Sequence, residues 1–180
     1  MNAKVELSKF QLLGARLYER VREDCHAIKN GYEDAIERWA AKLAPCLPEK
    51  CVLIPVPGRF GYADCSFALA QECQRLAIMD GKRVVLSNCL ACDAHEPLYD
   101  IKKRGETRAP AWLRMRANHK AYNTLVEMMN DGFAVVLVDN VIDTGTTMVA
   151  AKRALHLKNI NPGTGFILTV GASPAFFYNR

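Results

Sequence analysis

The chain has 180 residues, half of them apolar, and a formal net charge of +5. That is enough material for one domain with a sizeable core, and no Gly/Ser linker, low-complexity tract or internal repeat divides it. No apolar run is long enough to cross a bilayer, and Met1 to Glu6 lack the apolar stretch of a signal peptide. Most of the seven cysteines lie within apolar patterns rather than at the spacings of a secreted scaffold. The expectation is a soluble, cytoplasmic protein with reduced thiols and no membrane partner. The modest basic excess suits an anionic small molecule as well as nucleic acid.

Phe10, Leu13, Leu17, Val21 and Ile28 recur at helical spacing, with Ser8 as a candidate N-cap, and predict a helix over about 8–28. A second amphipathic stretch, about 32–43, presents Tyr32, Ile36, Trp39 and Leu43, and Pro45 and Pro48 end it. Residues 1–48 therefore read as an N-terminal helical extension on a domain spanning 49–180. Cys51 to Ile54 form a short apolar strand, and the Pro/Gly-rich run Pro55 to Gly61 is a loop. A helix over about 62–79 and a strand over 83–87 follow. The segment 88–118, with Pro97, Gly105 and Pro110 among many charges, reads as an irregular, mobile excursion. A helix over 121–129 leads into Phe133 to Val138, unbroken and apolar like a strand buried on both faces of a parallel sheet. A helix over 147–157 and a strand over 165–170 complete an alternation that specifies an α/β domain.

The chemistry concentrates where the most apolar strand ends, at Asp139-Asn140-Val141-Ile142-Asp143-Thr144-Gly145-Thr146-Thr147. Amides at a helix start, with its positive dipole end, form an anion site. Gly145 lets the backbone approach closely, and Thr144, Thr146 and Thr147 add hydroxyl donors. The run is neither a Walker A loop nor Gly-x-Gly-x-x-Gly. An ordinary strand-turn-helix, with Asp143 a plain helix cap, is the simpler alternative.

The stretch Val135 to Thr147 resembles the phosphoribosyl pyrophosphate (PRPP) signature of the type I phosphoribosyltransferases: apolar residues, an acidic pair, then Thr-Gly-x-Thr. The resemblance covers roughly residues 50 to 172. It implies a Rossmann-like parallel sheet of about five strands flanked by helices, with a flexible loop or hood. It also implies a pentosyltransferase that moves a 5-phosphoribosyl group from PRPP to a nucleobase nitrogen, with Mg²⁺ bound to the substrate, in nucleotide metabolism such as purine salvage. Asp143 to Thr147 would wrap the 5-phosphate. Asp139 and Asn140 would face the ribose, Asp139 meeting the metal only through PRPP. Asn140 stands where the family has its second acid, and an amide brings no negative charge there. Asp143 matches the acid of the 6-oxopurine members, which gives it the role of catalytic base and favours a purine; a cap for the following helix is the alternative.

Further carry-overs are weaker. The loop Pro57-Gly58-Arg59 lies where the family receives pyrophosphate, and Lys102, Lys103 and Arg104 lie in the segment that closes over it. The proline-rich loop is also similar to competence-type (ComF-like) members, which opens a reading as a non-catalytic PRPP- or nucleotide-binding regulator. Tyr99, Trp112 and Tyr122 are candidates for stacking on a base or for anchoring the loop. Cys89 and Cys92, near His95, have half the pattern of a zinc site, with no second pair in view. Nucleic acid, through the basic 102–116 stretch, is the least favoured partner, and a homodimer stays open.

Overall fold

The computed structural model describes residues 6–157 and 163–177. Its centre is a parallel sheet. β3 (Lys50–Pro55) lies between β4 (Arg83–Leu86) and β7 (Ala134–Ile142), and β8 (Gly165–Ala172) lies beyond β7. β1 (Phe10–Leu13) and β2 (Arg16–Leu17) form the outer edge along β8, giving the order β1-β8-β7-β3-β4. Every pairing in this sheet is parallel, with Cys51 opposite Ala134 and Asp139 opposite Thr169.

The N-terminal segment differs from the expected single helix. Residues 10–17 are strands that pair with β8, and the helix α1 starts only at Tyr18 and runs to Lys29. Gly14 interrupts the edge at φ +70°, and a Cβ there would lie 2.0 Å from Leu43 Cδ2. Only glycine fits against α2 (Glu33–Leu43) at that point. The first 48 residues thus contribute to the sheet as well as covering it.

Strand alternation builds two cores. Cys51, Leu53, Val136, Val138, Leu168 and Val170 face a layer made by α1, α2 and α3 (Cys65–Met79). Val52, Ile54, Val135, Leu137 and Ile167 face the other layer, which holds Leu125 from α5 (His119–Asn130), Met148 and Val149 from α6 (Thr146–Ala154), and Leu155 just after it. Val135 to Val138 are fully buried, which explains their unbroken apolar run. Each such side chain contributes roughly 1.5–3 kcal/mol when withdrawn from water.

The excursion at 88–118 holds regular structure. β5 (Leu90–Ala91) and β6 (Arg116–Ala117) pair antiparallel, α4 (Leu98–Lys103) lies between them, and a 3₁₀ turn spans Pro110–Leu113. A short helix, α7 (Pro174–Phe177), follows β8. Among the described residues no helix is long and apolar enough to cross a membrane.

Candidate functional site

The connections decide where a ligand fits. From β3 the chain crosses through α3 to β4 on one side; from β7 it crosses through α6 to β8 on the other. The carboxyl ends of β3 and β7 therefore diverge into a crevice, the place where open α/β sheets bind ligands. A separate cavity of about 470 Å³ lies at the far edge of the sheet, between Leu12, Gly14 and Arg16 on one wall and Trp39 and Lys42 on the other.

The turn after β7 has the form of an anion cradle. Gly145 takes φ 81°, the left-handed conformation that a side chain resists, and α6 starts at the next residue. No side chain caps this helix start. Among the described residues, the amides of Thr147 and Met148 donate to no protein acceptor, and the Thr146 amide reaches only Thr144 Oγ1 at 3.5 Å. The Thr144 and Thr146 hydroxyls lie 2.9 Å apart, within hydrogen-bond reach of each other. β8 steadies the turn from behind: Ser173 N donates to the Ile142 carbonyl and Ser173 Oγ to the Asp143 carbonyl, both at 2.8 Å. Asp143 is not a helix cap. Both of its carboxylate oxygens accept from Lys102 Nζ, at 3.0 and 2.8 Å.

Face alternation breaks at the end of β7. Val138 and Val141 pack with one core and Leu137 and Ile142 with the other, so Asp139 and Asn140 occupy a switch in the strand. Asp139 accepts from the Asn140 amide at 2.8 Å. Burial pushes its carboxyl up to about 7, backbone hydrogen bonds from Asn140 and Val141 oppose this, and the charge of Asp64 adds to the rise. Asn140 is bound to α1. It is 8% exposed, and its side-chain amide donates to the Cys25 carbonyl on α1 at 3.1 Å. The expected ribose-facing role therefore meets a geometric obstacle at Asn140, since its donor is already engaged.

The loop after β3 also differs from its expected use. Pro57 is buried, and the Gly58 amide donates to the Tyr62 carbonyl at 3.0 Å instead of facing the crevice. The Arg59 guanidinium lies over the Phe60 ring at 4.5 Å and, among the described residues, forms no ion pair. Asp64, outside the expected site, caps α3 by accepting from the Cys65 amide at 2.6 Å. Its carboxylate would sit 3.7 Å from a Cβ at Gly58, so it flanks the crevice. The sequence signal was Asp64 followed by a long apolar helix, a plain N-cap pattern that says nothing of a neighbour across the sheet.

Of the three hood cations, Lys102 reaches the turn. Lys103 Nζ lies over the Tyr99 ring at 4.7 Å, and Arg104 is bound to Glu96 and Glu106. Cys89 and Cys92 are buried free thiols, and Cys92 Sγ donates to the Gly58 carbonyl at 3.7 Å. Burial holds both thiols above their usual range, against the thiolate a metal needs. Among the described residues no three His, Cys, Asp or Glu side chains converge to hold a metal. Comparison with known proteins finds no family model, no curated protein and no solved structure that matches this chain.

Proposed function

We propose that this protein is a phosphoribosyltransferase, carrying a 5-phosphoribosyl group from PRPP to a ring nitrogen of a nucleobase and releasing pyrophosphate. One observation carries the reading: the uncapped start of α6, with Gly145 in the left-handed region and the Thr147 and Met148 amides unengaged, beside Asp139 at the switch point. A phosphate dianion suits such a start of a helix in charge and in the donors it meets. Asp139, on β7 and four residues before Asp143, would meet the ribose hydroxyls once ionised. Asn140 contributes through its fixed backbone rather than its side chain.

The reaction breaks the bond between ribose C1 and the pyrophosphate oxygen and forms a bond from C1 to nitrogen, with loss of the proton from that nitrogen. Asp143 is the acceptor for this proton. It becomes available when Lys102 leaves it, and the freed ammonium then meets the departing pyrophosphate, offsetting its charge. Among the described residues no three-ligand cage is present, so Mg²⁺ would be held by the PRPP oxygens, with Asp139 meeting it only through the substrate, and it would supply charge neutralisation on the leaving group.

A second reading has its own support. The engagement of both Asp143 oxygens by Lys102, with Asn140 turned to α1, favours a regulator that binds PRPP or a nucleotide without turnover. The two separate in a single assay: incubate the protein with Mg²⁺, PRPP and a panel of nucleobases, and measure pyrophosphate. Base-dependent release establishes the transferase. Binding of PRPP without release establishes the regulator.

A further inference from the structure

The loop between β3 and α3 carries planar groups that the phosphate cradle does not use. Phe60 and Tyr62 are 53% and 58% exposed, an unusual degree for neighbouring rings. Their centroids lie 6.3 Å apart with 24° between the planes, and the Arg59 guanidinium covers Phe60. Arg59, Phe60 and Tyr62 thus form a short stack that ends at Tyr62. Among the described residues no further ring or cation stacks on Tyr62.

The backbone beneath these rings is fixed. Gly58 N donates to Tyr62 O, Gly61 N to Gly58 O and Cys92 N to Gly61 O, each at 3.0 Å, and His95 N donates to Arg59 O at 2.9 Å. Gly61 has φ +92°, and a Cβ there would lie 2.5 Å from the Cys92 carbonyl oxygen, so the hood strap is seated directly on the loop. Holding exposed rings on a pinned backbone lowers the entropic cost of binding a flat ligand. The loop also belongs to the crevice. Its start is bonded to β7 through Val56 N and Val138 O at 2.9 Å, and its end is Asp64, whose charge acts on Asp139.

We propose that Tyr62, backed by Phe60 and Arg59, is the stacking platform for the heterocyclic base of the ligand whose phosphate lies on the Asp143–Thr147 turn. The inference rests on the phosphoribosyl reading and specifies the group this loop would take: the planar face of a heterocyclic base. The same geometry moves the loop's main role from pyrophosphate to base, since the Gly58 amide is engaged and Arg59 lies on a ring.

The test measures dissociation constants of guanosine 5′-monophosphate, guanosine and ribose 5-phosphate for wild type, Tyr62→Ala and Tyr62→Phe, with melting curves confirming the fold. Tyr62→Ala is expected to weaken guanosine monophosphate roughly 5- to 100-fold, from the usual range of base–aromatic stacking. It should leave ribose 5-phosphate unchanged, and Tyr62→Phe should retain wild-type affinity. Equal binding of the nucleotide by wild type and Tyr62→Ala overturns the inference, as does an equal loss of both phosphates. If ribose 5-phosphate does not bind wild type, the phosphate cradle fails, and the platform is then judged on guanosine alone, which must bind in a Tyr62-dependent way. A Tyr62 dependence seen only with a single-stranded oligonucleotide overturns it in favour of a nucleic-acid surface.

Discussion

Lys102 on α4 donates to both carboxylate oxygens of Asp143 on the β7–α6 turn, at 3.0 and 2.8 Å, and so ties the hood to the candidate phosphate site. The side chains are 55% and 40% exposed, so the pair adds little to global stability. Lys102→Met is expected to lower stability by less than about 1 kcal/mol while speeding proteolysis or hydrogen exchange at 98–104. Unchanged exchange in that segment would show that α4 is held by packing, chiefly at buried Ile101, rather than by the ion pair.

Asn140→Asp addresses the departure from the family pattern. The amide donates to a buried carbonyl, and a carboxylate would face that carbonyl with no donor. The variant is expected to lose about 2–4 kcal/mol at neutral pH, with the loss shrinking in acid as the new carboxyl is protonated. Denaturant titration decides, and a variant as stable as wild type would mean that the side chain turns into the crevice after all.

Asp139 sets a pH dependence. Its folded pKa, about 7, is raised above the ordinary 3.8. The stability linked to this group is therefore full below about 4 and is lost as pH rises through about 7. Asp139→Asn removes the titration, so the stability gap between wild type and variant should change by up to a few kcal/mol between about pH 4 and pH 8, wild type losing ground as pH rises. Parallel pH profiles would contradict the placement of this carboxyl.

Lys82 offers a check on the fold away from the site. Its ammonium donates to the carbonyls of Ala44, Pro45 and Leu47 at 3.3, 2.9 and 2.6 Å, closing the end of α2 against the turn before β4. Lys82→Met is expected to cost about 1–2 kcal/mol in urea unfolding, since two of the three bonds are part-buried and all three lose a charged donor. Ligand binding at the crevice should be unaffected.

The sequence made the middle of the fold legible because its signals there are local. A run such as Val135 to Val138 is buried on both faces, and the Gly145 turn carries its own conformational requirement. In the edge strands at 10–17, Phe10, Leu13 and Leu17 also fit helical spacing, and only pairing with β8 distinguishes strand from helix. The direction of Asn140 depends on a switch of faces at the end of β7, and the role of Asp64 depends on a neighbour across the sheet. Both are long-range facts that spacing does not encode. The folded elements of the hood were hidden for a similar reason: β5 and β6 are two residues each and exist through one another.

The most direct measurement is calorimetric titration of Mg²⁺-PRPP into wild type and into the Thr144→Val, Thr146→Val double variant, which keeps side-chain shape and removes two hydroxyls from the cradle. The account predicts saturable one-to-one binding by wild type, weakened at least about tenfold in the variant. Absence of binding, or equal affinity in the two proteins, would contradict it.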